Sequence, residues 1–338
     1  MYDIAIIGAG INGVSTAYEL MQKGKSIIIF DMNGVASGGS GAAGAFISPK
    51  FSKGGELKEI IDKAFIYSMD FYEKNFPHLF RKTNLIHTAQ DNSEVFTLES
   101  GIVNAEAMCN SLCKGAKLIE SKVETLIYDD GLWVINETYS AASVVLATGA
   151  YEQVIKEPYI QLRGIWGHRI DVKTSTKNEN ALHKFVSISP SKDGVLSIGA
   201  THNVHYHPET SKEPYDIESG RAELLEKAAH SIELEDVEVI KDYTGLRSGS
   251  FDYMPLVGSL VMSKVTLESS HINFKVKKAD YEKYDYYPNL YMINGNGGYG
   301  FVLAPYLANI LTEHILSAKK ISDRISPARF FHRWAKKL

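Results

Sequence analysis

The chain opens on a continuous apolar run, Ile4 to Ile7. A glycine-rich turn follows, then Ile11, Val14, Ala17 and Met21 at helical spacing, a stop at Gly24, and a second apolar run from Ser26 to Phe30. Apolar runs without alternation predict parallel strands covered on both faces, so the first thirty residues predict strand, helix, strand. Further along, Leu85–Ala89, Gly164–Thr174, Phe185–Ser189, Val195–Thr201, Val237–Arg247 and His271–Val276 are spaced strand candidates with turn residues between them. They predict a mainly antiparallel sheet. Helical periodicity predicts helices over Leu57–Asn75, Asn104–Lys114, Ile217–Ser231 and Phe301–Ala318. The expected fold is α/β: a doubly wound domain built from residues 1–80, 98–162 and 288–338, with an antiparallel-sheet domain (81–97 and 163–287) inserted into it.

Composition narrows this picture little. The 338 residues are 44% hydrophobic and 22% charged, which excludes a disordered or fibrous chain. The two cysteines, Cys109 and Cys113, sit in a predicted helix as packing residues and exclude a disulfide scaffold. No basic stretch followed by an apolar run precedes Ile4, and runs such as Phe301–Leu311 are too short to span a bilayer. A cytoplasmic protein without a membrane partner is expected. Charge is uneven. Lys319 to Leu338 holds seven Lys/Arg and one acid, a net +6, which leaves −10 elsewhere in a chain of −4. A basic end on an acidic body points to a polyanionic partner.

Gly8-Ala9-Gly10-Ile11-Asn12-Gly13 closes the first strand and opens the first helix. Glycines here allow the tight turn (Gly8), close approach to a pyrophosphate (Gly10) and close helix–strand packing (Gly13), while the helix N-terminus attracts the phosphates. Asp31 ends the second strand where an acid accepts hydrogen bonds from ribose hydroxyls. NAD and FAD share this motif. Three later features favour FAD: the run of tiny residues around Ser40, Gly41, Ala42, Ala43 and Gly44; a strand ending in Ala147-Thr148-Gly149; and the turn Gly295-Asn296-Gly297-Gly298-Tyr299-Gly300 before a helix that begins with Phe301. The last offers a second helix N-terminus to a reduced flavin ring. Met32, beside Asp31, belongs with this cofactor set.

These elements in this order resemble the D-amino-acid-oxidase-like family of FAD oxidoreductases, over nearly the whole chain. The resemblance implies non-covalent FAD in a Rossmann-like domain and an antiparallel-sheet substrate domain. It places Val123 where its backbone meets the adenine. Arg163-Gly164 with His168, Gly245-Leu246-Arg247, Asp252 to Gly258, and the ending Ser326-Pro327-Ala328-Arg329-Phe330 resemble more narrowly the FAD domain of the bifunctional enzymes of tRNA 5-methylaminomethyl-2-thiouridine biosynthesis. That likeness implies oxidative removal of the carboxymethyl group from 5-carboxymethylaminomethyluridine at the wobble position. With it come the expectations of hydride transfer to flavin N5, hydrolysis of the imine, dioxygen as electron acceptor and room for a separate methyltransferase acting in trans. The residues around Ala42 and Ala43 are also close to glycine oxidases. Oxidation of free glycine, sarcosine or a D-amino acid is therefore the alternative, and a flavoprotein that binds RNA without turnover is a third.

Such chemistry needs a cation to pin a carboxylate over the flavin, and a guanidinium does so through two parallel bonds. Arg247 is the expected grip and catalytic residue, with Tyr299 as a pocket wall and His168 and His202 lining the substrate side. His202, His205 and His207 match no metal-ligand spacing, so no metal is expected. In the tail, Ser326 reads as an N-cap before Pro327. Phe331, Trp334, Ala335 and Leu338 fall on one helical face, with Arg329, Arg333 and Lys336 opposite. With Lys337 these cations form the expected tRNA phosphate contact, which removal of Ser326 onward is expected to weaken.

Overall fold

A computed structural model describes residues 1–51, 54–269, 272–276 and 279–338. In chain order the first elements are β1 (Tyr2–Ile7), α1 (Ile11–Gln22), β2 (Ile27–Asp31), β3 (Phe46–Ile47), α2 (Glu56–Asn75), β4 (Phe80–Thr88), β5 (Val95–Val103) and α3 (Ala105–Leu112). Next come β6 (Lys117–Glu120), β7 (Leu126–Asp129), β8 (Leu132–Ile135), β9 (Tyr139–Leu146), β10 (Leu162–Lys173), β11 (Ala181–His183), β12 (Ser187–Ile188), β13 (Val195–Gly199) and α4 (Ile217–Ala229). The chain ends with β14 (Glu238–Ser250), β15 (Leu256–Val261), α5 (Ser263–Glu268), β16 (Tyr286–Asn294), α6 (Gly300–Ser317) and α7 (Ala328–Ala335).

Two sheets result. The first runs β15-β16-β9-β1-β2-β6, with the β7–β8 hairpin joined to β9. Its centre is parallel, β1 lying between β9 and β2. The unbroken apolar runs of β1 and β2 are explained by burial on both faces. Ile4, Ile6, Ile27 and Ile29 pack against α1, α2, α3 and α6, whereas Ala5, Ile7, Ile28 and Phe30 pack against Trp133, Tyr159 and the α7 residue Phe331. Asn104 caps α3 through a 2.9 Å bond accepted from the Ala107 N–H, and Cys109 packs inside.

The second sheet runs β14-β10-β13-β12-β11-β4-β5-β3 and is antiparallel except where β11 meets β4. One face buries Ile170, Val172, Ile188 and Ile198 against Leu224 and Ala228 of α4. The other face roofs a cavity shared with the first sheet.

The expected domain limits need correction. β15, assigned by sequence to the inserted domain within 163–287, is an antiparallel edge strand of the first sheet, in register with β16 from Leu256↔Asn294. β4 and β5 both belong to the second sheet in full, so the 81–97 piece extends over 80–103. Strand membership is fixed by pairing partners far away in sequence, which local pattern does not reveal. The expected strand His271–Val276 is also absent: His271 lies outside the described residues, and the Asn273 side chain accepts from the Lys275 N–H in a turn. No helix among the described residues is long and apolar enough to cross a membrane.

Candidate functional site

Between the two sheets lies a cavity of about 560 Å³, the size of a small-molecule site. The C-terminal ends of β1, β2, β9 and β16 open into it, as an open α/β sheet requires. All three glycine turns reach it. Gly8, Gly10, Ile11 and Asn12 line it from the first turn; Asp31 and Met32 from the end of β2; Ser40, Ala42, Ala43 and Gly44 from the tiny-residue loop. Val123, Ala147, Thr148 and Gly149 add a further wall, and Asn296 to Phe301 close it from the last turn.

Each contributor is held by a specific bond. The Asp31 carboxylate accepts from the Ala9 N–H at 2.8 Å, which ties the end of β2 to the first turn. Ser40 Oγ accepts from the Ile11 N–H at 2.9 Å, which brings the tiny-residue loop to the N-terminus of α1. Asn296 donates to Asn12 Oδ1 at 2.6 Å and so couples the first and last turns directly. Asn294 donates to the Gly149 carbonyl at 2.9 Å. From the second sheet, Arg169 Nε donates to the Ala42 carbonyl at 3.2 Å.

Three expected cofactor residues do not line the cavity but shape it. A Cβ on Gly13 would strike the Gly8 carbonyl, and one on Gly41 would strike that of Ala36. Gly295 turns the chain at φ +77° at the end of β16. In contrast, nothing lies within 4 Å of a Cβ built on Gly297 or Gly298, and Asn296 Oδ1 is buried with no hydrogen-bond partner. Open space above glycines, a polar atom awaiting a donor, two helix N-termini and an acid at the end of β2 fit FAD.

Arg247, on β14, faces this cavity. Its guanidinium packs over Gly167 of β10, where a side chain would collide with it, and Nη2 donates to the Thr201 carbonyl at 3.0 Å. Among the described residues it makes no salt bridge. Burial holds its pKa below the usual guanidinium value. A guanidinium in a cavity wall, without a carboxylate partner among the described residues, has the chemistry to receive one. Tyr299 also lines the cavity, its hydroxyl pKa raised first by burial, with Lys50 Nζ 5.3 Å from its ring centre.

The two histidines expected beside the substrate are elsewhere. His168 follows Gly167 on β10, so alternation turns it to the opposite face of the sheet. There it is fully buried, 2.9 Å from Asp242, which Arg221 also grips. His202 is exposed in a separate cleft beside Tyr206 and Tyr215, its pKa lowered by partial burial and then by Arg247 and Lys227. In their place the cavity wall holds Phe51, His87, His183 and Phe185. His87 stacks on Phe51 at 3.6 Å between ring centres and on His183 at 5.3 Å. These residues lack a motif, and the β4–β11 register His87↔His183 is what brings the two histidines together.

The tail is also corrected. Pro327 caps α7, one residue later than expected, and Ser326 Oγ accepts from the Ala328 N–H at 3.3 Å. Arg329 does not face outward: it is 4% exposed and grips Asp252. Phe331 and Ala335 are buried as the periodicity expects, while Leu338 is 76% exposed. Arg333, Lys336 and Lys337 remain at the surface.

A family model described as FAD dependent oxidoreductase matches residues 3–102 and 92–314. Over 97% of its length the chain is 26% identical to the tRNA 5-methylaminomethyl-2-thiouridine biosynthesis bifunctional protein MnmC of Dichelobacter nodosus, covering 57% of that protein. It is 24% identical to the protein of the same name from Campylobacter jejuni over 99% of the chain and 59% of the relative. The chain thus spans less than two thirds of the length of these curated relatives. Among solved structures, glycine oxidase from Geobacillus kaustophilus superposes with a TM-score of 0.73 at 18% identity, covering 97% of both chains. Glycine oxidase from Bacillus cereus gives 0.72 at 16% identity, with 95% of this chain and 96% of that one covered.

Proposed function

The chain belongs to the FAD-dependent oxidoreductase family, and from that premise we propose that it removes the carboxymethyl group from 5-carboxymethylaminomethyluridine at the wobble position of tRNA. The observation that carries the reading is the similarity, along 97% of the chain, to a protein named for tRNA 5-methylaminomethyl-2-thiouridine biosynthesis. The site's chemistry agrees with it. The group to be removed is an N-substituted glycine, with a carboxylate next to the carbon that loses hydride.

FAD, held by the three glycine turns and Asp31, would supply the hydride acceptor, with dioxygen taking up the electrons. The protein's own part is orientation and electrostatics. Arg247 takes the substrate carboxylate through paired N–H bonds and so fixes the neighbouring carbon. The N-terminus of α6, opening at Gly300, directs its positive end into the same cavity and favours negative charge there. Tyr299 walls the pocket. As the C–H bond breaks, the amine nitrogen's lone pair forms the C=N bond. Water then adds to that carbon and releases glyoxylate, leaving the aminomethyl group on the base.

A second reading has one specific support. Arg247 would grip the carboxylate of free glycine or sarcosine equally well, since nothing in that contact requires a nucleoside. Anaerobic mixing of the FAD-loaded protein with tRNA bearing the carboxymethylaminomethyl group separates the two. Bleaching of the flavin and loss of the carboxymethyl mass are expected. Bleaching by glycine or sarcosine but not by this tRNA rejects the tRNA reading in favour of the small-amine oxidase. A flavin that neither substrate reduces leaves an RNA-binding flavoprotein without turnover.

A further inference from the structure

The strand that carries Arg247 ends at Ser250, and the turn beyond it holds two aromatic rings in solvent. Phe251 is 51% and Tyr253 67% exposed. Tyr253 sits at φ +63°, a left-handed conformation that bulky residues rarely adopt. The turn is nevertheless held firmly. Asp252, between the two rings, receives Arg329 Nη2 and Nε at 2.9 and 3.0 Å and Arg333 Nη1 at 2.7 Å. Ser250 Oγ donates to the Met254 carbonyl at 2.6 Å beneath it. A buried guanidinium therefore fixes a turn whose tips expose apolar rings to water.

A cation lies against the first ring, and others are exposed on the helix that clamps the turn. The Arg163 guanidinium lies 5.0 Å from the Phe251 ring centre. Arg333, itself bonded to Asp252, is followed by Lys336 and Lys337, both exposed, at the C-cap of α7 and just past it. The one acid in the turn is already neutralised. The patch also adjoins the cavity, because Gly249 bridges to the cavity-lining Asn296. Phe251 is four residues beyond Arg247, roughly 13 Å along a strand, a separation that a few nucleotides of unpaired chain can span.

Exposed rings, with Arg163 against one of them and Lys336 and Lys337 exposed at the end of the clamping helix, suit single-stranded nucleic acid, whose bases stack while its phosphates pair. A bilayer surface fits less well, since α7 turns its apolar residue Phe331 into the core. We propose that Phe251 and Tyr253 form a stacking platform for unpaired bases of an RNA loop, with Arg163, Lys336 and Lys337 holding phosphates, while a neighbouring nucleotide enters the cavity. This rests on the tRNA reading and adds to it the part of the surface that selects a loop over a helix.

The test uses the FAD-loaded full chain and a fluorescein-labelled RNA stem-loop of anticodon type, with the same strand annealed into a blunt duplex as control. The double variant Phe251→Ala, Tyr253→Ala should weaken stem-loop binding by about tenfold or more and leave the slope of affinity against salt as it was. Lys336→Ala with Lys337→Ala should instead lower that slope by roughly one to two. Unchanged stem-loop affinity in the aromatic variant, with normal flavin absorbance and melting temperature, overturns the platform, as does equal loss for loop and duplex. If that variant binds as before and still demodifies tRNA, the platform fails and the tRNA reading stands. If the wild-type chain binds no stem-loop yet oxidises sarcosine, both fall and the patch is left to a protein partner.

Discussion

Asp252 is held through both carboxylate oxygens by the guanidinium of Arg329, a residue only 4% exposed. The contact joins the turn after β14 to α7, the last helix, across 77 residues of chain. Burial alone would raise the Asp252 carboxyl. The hydrogen bonds and charge of Arg329, with the charge of Arg333, outweigh that and bring it down to about 2. Arg329→Ala leaves the carboxylate without its main partner and should cost about 3–5 kcal/mol, read as a lowered urea midpoint at neutral pH. Because the folded pKa lies below the unfolded one, the contribution is complete above about pH 4 and is lost as pH falls toward 2. A variant as stable as the wild type at pH 7 would show the clamp to be idle.

Removing Ser326 onward should unfold the chain rather than only weaken RNA binding. Phe331 is fully buried in the core beneath the parallel sheet, packed at 4.9 Å against Tyr284 and 5.5 Å against Tyr159. The prediction fails if the truncated chain gives a cooperative melt near that of the full chain.

Arg247→Ala should keep FAD and lose turnover. Two charge-assisted bonds are worth roughly 3 kcal/mol together, so kcat/KM should fall at least about a hundredfold. Visible absorbance of the purified variant reports the cofactor, and peroxide release reports the reaction. Wild-type turnover would remove Arg247 from its role; a colourless protein would make it a folding residue.

Gly13 and Gly298 should fail in different ways. Any side chain on Gly13 collides with the Gly8 carbonyl, so Gly13→Val should give insoluble or unfolded protein. Gly298 faces open cavity, so Gly298→Val should fold with a melting temperature close to the wild type and retain less flavin after dialysis. Full flavin retention in the second variant would place the cofactor away from this turn.

His183 links the cavity wall to pH. Burial, then the charge of neighbouring His87, pushes its pKa down to about 4. A histidine whose folded pKa lies below its unfolded value of about 6.5 favours folding when neutral. Stability should be complete above that value and decline as pH falls from about 6.5 toward 4. His183→Gln should flatten the decline in urea midpoint across this window; an unaltered slope would assign it to other groups.

The sequence by itself determined FAD as the cofactor and the glycine turns that reach the cavity. Glycines at 8, 10 and 13 and the last glycine turn act through backbone geometry, and the acid at 31 through a carboxylate placed at a strand end; residue type and short spacing decide both, and these are visible in a linear string. The unbroken apolar runs of β1 and β2 likewise announced a sheet buried on both faces. What only the tertiary structure decided were contacts made across the chain. His168 and Gly167 are sequence neighbours, yet strand alternation sends one into the α4 layer and leaves the other beneath Arg247. Arg329 looked like a surface cation until the turn holding Asp252 reached it from 77 residues away. Side-chain direction and long-range partnership depend on register and packing, and no local pattern encodes them.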